Sequence, residues 1–292
     1  MIGFSVDELT LYIQVFAVFA TLLGACIGSF LNVCIYRIPN DLSVVKPRSF
    51  CPACAKEIPW YLNIPVFSWL MLRGKCAFCG AKIPSRYFFV ELLTAMFFLM
   101  VYTAWCVPEF LHLTPLQTPA LIPVCWLFIS GLLLGSFIDI DHYILPDRVT
   151  LGGMVLGPLL SVLVPELHGE VIWWKALMKS GLGLVSGFGL FFLIGTIGEK
   201  VFKKEALGFG DVKLMGAIGA FLGWQAVLFT LFVSSLLGTL VAGVLLALRR
   251  VNLKDVIPYG PYLAVSAVVW LFWGRALLNL YLDFLLPGRA GL

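Results

Sequence analysis

Apolar side chains run almost unbroken through eight stretches of this chain, roughly residues 11–35, 88–107, 118–140, 149–165, 176–197, 211–224, 226–248 and 260–286. A helix of about 20 apolar residues crosses the hydrocarbon core of a bilayer. The chain is therefore expected to be an all-α polytopic membrane protein with about eight transmembrane helices, the fourth and sixth of them short. Charge agrees, since only 12% of the 292 residues are charged, against roughly 25% in ordinary soluble proteins. Three regions follow: a first transmembrane helix within 1–35, a hydrophilic loop at 36–87, and a transmembrane region at 88–292.

Basic residues favour cytoplasmic loops, and they orient the chain. Eight Lys or Arg lie from Arg37 to Arg86, and Arg148, Lys200, Lys203, Lys204, Lys213, Arg249, Arg250 and Lys254 fall in or beside alternate loops of the same side. Only Lys175, Lys179, Arg275 and Arg289 fall on the other. Both termini are thus expected outside and the loop at 36–87 inside. The net charge of +4 follows from this bias and calls for no nucleic-acid partner. The first ten residues hold no Lys or Arg and carry Asp7 and Glu8, unlike the basic start of a cleavable signal peptide, so the first span is expected to be retained.

The hydrophilic loop contains Pro39, Pro47, Pro52, Pro59, Pro65 and Pro84 without a sustained helical period, a pattern of loops and short turns. It is too poor in apolar residues for a core of its own. Cys51-Pro-Ala-Cys54 and Cys76-Ala-Phe-Cys79 supply the staple. Both thiolates of a tight CxxC turn reach one ion, and two such turns complete a tetrahedral zinc site. Reduced thiols or a redox pair are the alternatives, with disulfides disfavoured in the cytoplasm. With four thiolate ligands and no position open to water, the zinc would be structural. Gly80, just after the second pair, lets the backbone turn back. Cys26, Cys34, Cys106 and Cys125 lie in apolar spans and read as small packing residues.

Two acids stand at the margins of apolar segments, Asp139 in SFIDIDHYILPD and Asp211 in GFGDVKLMG. Acids near hydrocarbon are costly and are usually paired or functional. Residues two apart on a helix point about 200 degrees away from each other, so Asp139 and Asp141 cannot face the same partner. Gly135 and Ser136 share the face of Asp139, and Gly216, Gly219, Ala220 and Gly223 follow Asp211; such small residues allow close helix approach. Two carboxyls brought together would share one proton, one activating water and the other protonating the carbonyl oxygen or the leaving amine. The pair points to an aspartyl protease, against the plainer reading of solvated helix caps. Asp147 reads as a cap or turn residue. Asp141 either hydrates the mouth of the site or pairs with a base, and His142 reads as structural.

The motifs together resemble the bacterial type IV prepilin leader peptidases over almost the full length. Gly28-Ser-Phe-Leu-Asn-Val-Cys-Ile-Tyr-Arg-Ile-Pro39 is similar to the family's N-terminal signature, the CxxC pairs to its zinc loop, and Arg86-Tyr-Phe-Phe-Val-Glu91 to the segment after it. Asp139 with Pro146, the GxGD motif Gly208-Phe-Gly-Asp211, and Ile257-Pro-Tyr-Gly-Pro261 complete the match. GxGD also occurs in presenilin-type proteases; beside a four-cysteine loop it is specific. The resemblance implies a bifunctional enzyme of the bacterial inner membrane whose site faces the cytoplasm. Asp139 and Asp211 would be its catalytic aspartates and Cys51, Cys54, Cys76 and Cys79 its zinc ligands. Its substrates would be type IV prepilins or type II secretion pseudopilins, whose leader ends in Gly before Phe or a similar residue, and its setting the pilus or secretion assembly machinery. Gly suits the scissile position because its backbone opens into the extended form a protease needs. The second implied activity transfers a methyl from S-adenosylmethionine to the freed amine. No glycine-rich dinucleotide fingerprint is present, so the donor site would be of another, membrane-associated kind. Asn32, Arg37 and Glu91 are its candidates, for the donor or the substrate amine; an Arg37–Glu91 ion pair orienting two helices is the competing reading.

Two other classes account for part of the pattern. A polytopic transporter would carry acids in its spans but is expected to show internal repeats with broken helices near midplane, and no such repeat is found. A zinc-stabilised assembly factor without catalysis would keep the cysteines and need neither aspartate.

Overall fold

The computed structural model describes residues 6–203, 207–250, 252 and 257–285; Lys204, Lys254 and Arg289, counted above for orientation, lie outside them. All eight apolar stretches are helices: α1 (Val6–Arg37), α3 (Ser85–Cys106), α4 (Leu121–His142), α5 (Asp147–Leu163), α6 (Trp173–Phe202), α7 (Phe209–Leu222), α8 (Trp224–Ala247) and α9 (Gly260–Leu285). A five-residue helix, α2 (Phe67–Met71), lies in the hydrophilic loop. Among the described residues there are no strands, only isolated bridges. The protein is a multi-pass membrane protein.

Six of these helices, α1, α3, α4, α6, α8 and α9, are long and apolar enough to cross a bilayer. The other two are the short ones. At about 1.5 Å per residue, the 17 residues of α5 and the 14 of α7 fall short of a hydrocarbon core about 30 Å thick.

The chain divides into two compact units. One holds residues up to Cys106 with Cys125–Leu134, the other Val107–Val124 with Gly135 onward, so α4 contributes to both. In the first, α1 packs along α3. Gly24-Ala-Cys-Ile-Gly28 makes this possible: a Cβ added at Gly28 would lie 2.7 Å from Glu91 Cα, and one at Gly24 2.8 Å from Ala95 Cα. Small residues four apart let membrane helices approach backbone to backbone, and here they set Asn32 of α1 near Glu91 of α3.

In the second unit, α7 is almost wholly buried from Val212 to Phe221. Two glycine pairs grip it. Gly153 and Gly157 of α5 face Ala217 and Ala220, while Gly183 and Gly187 of α6 face Gly219 and Met215. The small residues after Asp211 thus serve α5 and α6, not the Asp139 helix as their pattern suggested. Helix α7 ends at Gly223, whose φ of 83° is a conformation an L side chain rarely adopts, and α8 starts at the next residue.

Candidate active sites

The two CxxC turns are near-copies of one local structure. Each is flanked by a single antiparallel bridge, Phe50 with Glu57 and Lys75 with Lys82. In each the first Cys N–H donates five residues ahead, Cys51 to Lys56 O at 3.0 Å and Cys76 to Ala81 O at 2.8 Å. Each then needs a left-handed residue after its second cysteine. Gly80 supplies one at φ 71°, and Ala55 adopts the same conformation at φ 55°.

These turns bring all four Sγ atoms within 4.8 Å of one another. A tetrahedron with Zn–S bonds of about 2.3 Å has S···S edges of about 3.8 Å, and Cys51 Sγ to Cys79 Sγ is 3.9 Å. The cluster is thus of a size and donor type that can hold a metal ion. The backbone and the neighbouring thiols split its cysteines electrostatically. The N–H groups of Phe78 and Cys79, donating to Cys76, bring its thiol down to about 6. Cys79 is held up at about 11: the Ala81 N–H works against the rise, but desolvation and the neighbouring thiols outweigh it. One thiol of the cluster is thus favoured as thiolate while its neighbour is held protonated.

Beside the cysteines the first unit encloses a cavity of about 770 Å³, lined by Asn32, Arg37, Trp69, Cys76, Tyr87 and Glu91 among others. Small-molecule sites span roughly 300–1,000 Å³. Asn32 is 1% exposed; its Nδ2 donates to Tyr87 O at 3.0 Å, while its Oδ1 is buried with no partner. Glu91 Oε2 accepts the Val66 N–H at 2.6 Å. Val66 is the central residue of a γ-turn, at φ 64°, ψ −52°, closed by Phe67 N–H to Pro65 O at 2.6 Å. A β-branched residue there is strained, and Glu91 holds it in place.

Arg37 stands apart from the other two candidates. It is 5% exposed and its guanidinium donates to Ser43 O at 2.9 Å and Pro47 O at 2.8 Å. Among the described residues it forms no ion pair with Glu91, so that reading falls: its donors clamp the 43–48 turn. Asn32 and Glu91 both line the cavity, and of their polar atoms the Asn32 Oδ1 is the one left without a partner.

In the second unit Asp139, in the last turn of α4, is buried and Asp141 exposed, as their separation on the helix requires. Asp139 Oδ2 accepts the Gly260 N–H at 2.9 Å, at the first residue of α9. Asp211, in the first turn of α7, feels the charge of Asp139, and its Oδ1 is buried without a partner. Leu145 fills the space around the pair, its side chain against Gly135, Gly210 and Gly260. Asp147 is no side-chain cap; it pairs with Lys213 Nζ at 2.6 Å, tying the start of α5 to that of α7. Leu145 and Gly260 carry no chemistry and were not legible as site residues. The signal available was a glycine between prolines just ahead of a span.

The comparisons with known proteins divide the chain in the same order. The bacterial peptidase A24 N-terminal domain matches residues 22–105 and the type IV leader peptidase family matches residues 126–243. A prepilin leader peptidase/N-methyltransferase of Myxococcus xanthus is 43% identical over 80% of this chain and 64% of its own length, somewhat under two thirds. Proteins of the same name from Pseudomonas aeruginosa and Legionella pneumophila are 35% and 31% identical, covering 95% and 90% of this chain and 97% and 93% of their own. No solved structure matches. On matches that run nearly end to end, this chain belongs to the type IV leader peptidase family.

Proposed function

We propose that this protein is a prepilin leader peptidase and N-methyltransferase of the bacterial inner membrane, with Asp139 and Asp211 as catalytic pair at the cytoplasmic face. The observation that carries the reading is that Leu145 packs against Gly210, beside Asp211, and against Gly135 and Gly260, which flank Asp139, with the Asp139 carboxyl buried and bonded to Gly260 and the Asp211 carboxyl bearing an unpartnered buried oxygen. Like charges at close range cannot both ionise, so the pair holds one proton between them. The ionised carboxyl takes a proton from water as the water oxygen bonds to the scissile carbonyl carbon. The protonated one then delivers its proton to the leaving nitrogen, the C–N bond breaks, and the leader departs with a new carboxyl group. The client is a prepilin or secretion pseudopilin with an apolar helix, whose Gly peptide stands at the level of the aspartates.

Methylation follows in the first unit, with residues 36–87 as its core. Cys51, Cys54, Cys76 and Cys79 hold a structural zinc, which fixes the two turns that wall the cavity. S-adenosylmethionine, when bound in the cavity, supplies an electrophilic methyl on a cationic sulfur. Glu91 and the Asn32 Oδ1 offer negative charge and a free acceptor to a cation or an amine, and Trp69 and Tyr87 offer aromatic faces. Arg37 holds the 43–48 turn that carries the first cysteine's approach.

Substitution at the aspartates tests the proteolytic half. Asp139→Asn and Asp211→Asn each keep shape but lose proton exchange, a contribution of roughly 10²- to 10⁴-fold. Leader cleavage in membranes should fall by that factor for both while Asp141→Asn stays near wild type. Full cleavage by either of the first two would leave a zinc-stabilised assembly factor as the better reading.

A further inference from the structure

We infer that Gly260 is a positioning residue for the peptidase: its backbone N–H, aimed by Tyr259 and Leu145, fixes which oxygen of Asp139 faces the reacting water. This rests on Asp139 and Asp211 being the catalytic pair. Gly260 is buried, and its N–H donates to Asp139 Oδ2 at 2.9 Å. An oxygen that accepts this hydrogen bond is made the weaker base of the two, because the N–H stabilises negative charge on it. The Gly260 contact therefore leaves Oδ1 of Asp139 for proton exchange, while Asp211 keeps an unpartnered Oδ1 of its own. The two carboxyls differ before substrate arrives.

Three features aim the donor. The Tyr259 hydroxyl bonds Ser234 Oγ at 2.7 Å and approaches Ser235 Oγ at 3.3 Å, anchoring the residue before Gly260 to α8. Leu145 packs against Gly260 itself, 3.3 Å from where a Gly260 Cβ would stand. The same side chain meets Gly210, beside Asp211, and Gly135, one turn before Asp139. A side chain at 260 has no room, because its Cβ would fall 2.8 Å from Asp139 Oδ2. The glycine is needed here for a close approach of backbone to carboxylate.

The test uses full-length protein in detergent or membranes with a prepilin substrate. Gly260→Pro deletes the N–H but also sets ring atoms against Asp139 Oδ2, so the deciding variant is Tyr259→Phe, which loosens the anchor while leaving Gly260 intact. Misplacing a reacting group by an ångström costs about 10²-fold, so Gly260→Pro should lower kcat by about that factor with KM little changed. Tyr259→Phe should lose roughly tenfold, the worth of a hydrogen bond. Both should also move the acid limb of the kcat/KM profile against pH, since a hydrogen bond to a carboxylate alters its proton affinity. A role in folding alone lowers the active fraction and leaves that limb where it was. An unmoved limb, or an unchanged kcat, in Tyr259→Phe overturns the inference even if Gly260→Pro fails to insert. Cleavage surviving in Asp139→Asn would instead remove the catalytic pair on which the inference rests.

Discussion

Ala55 and Gly80 occupy the same place in the two cysteine turns, and they differ in what the backbone asks of them. Both have positive φ, 55° and 71°, which costs an L residue roughly 1–2 kcal/mol and glycine almost nothing. A Cβ at Gly80 would meet no atom within 4 Å, so Gly80→Ala isolates the backbone term. It should destabilise the loop by about 1 kcal/mol. Ala55→Gly should stabilise it by less, because glycine also gains freedom in the unfolded chain. Release of bound metal to a chelator, followed in the purified protein, measures both; faster release from Ala55→Gly would contradict the equivalence of the turns. Gly80 was legible in the sequence as a turn residue. Ala55 was not, because alanine advertises no left-handed conformation; only the symmetry of the folded turns exposes it. The same holds at the aspartates, where Asp139 could be separated from Asp141 by helical geometry, but the donor to Asp139 is a backbone N–H, a group that every residue except proline carries and that marks no position in a sequence.

Among the elements, α7 is held by its surroundings, with Val212 and Leu214–Phe221 buried. It is too short to cross a bilayer, and its burial comes from glycine pairs on α5 and α6 that its own small residues complement. Helix existence was legible in the eight apolar stretches because long apolar runs leave few alternatives in lipid, and not at α2 in the hydrophilic loop, whose five residues are too few to show a period. Partner choice was not, since a small residue signals that something comes close without saying which helix does. Between α5 and α6, His168 provides a handle on this packing. Its Nε2 lies 3.0 Å from Ser161 Oγ of α5. Burial, reinforced by the charge of Lys179 and only partly opposed by a backbone hydrogen bond at Ala220, brings its pKa from 6.5 to about 4. A neutral buried histidine favours the fold wherever the unfolded chain would be protonated least. Its contribution is therefore full above about pH 6.5 and is lost as pH falls toward about 4, a change of up to about 3 kcal/mol. The thermal midpoint of the detergent-solubilised protein should drop across that window, and His168→Gln should flatten the drop. An equally steep decline in His168→Gln would assign it to other groups.

For the whole molecule, the two proposed chemistries divide with the two compact units: four cysteines and a cavity in one, two aspartates in the other. The purified, reduced protein should carry about one zinc per chain through four thiolates. Replacing Cys51 and Cys76 by Ser should release it and impair methylation more than cleavage, as metal analysis and the two activity assays would report; equal losses would tie both reactions to the metal. Methyl transfer needs an amine that exists only after cleavage, which orders the reactions without requiring a shared site. The most direct measurement is transfer of labelled methyl from S-adenosylmethionine to a pilin supplied already cleaved, using the Asp211→Asn variant. Two separate sites predict that this variant leaves full-length prepilin uncut and unmethylated yet methylates the precleaved pilin at close to the wild-type rate. Loss of that transfer in a folded, inserted Asp211→Asn protein would contradict them and make the aspartate pair part of both reactions.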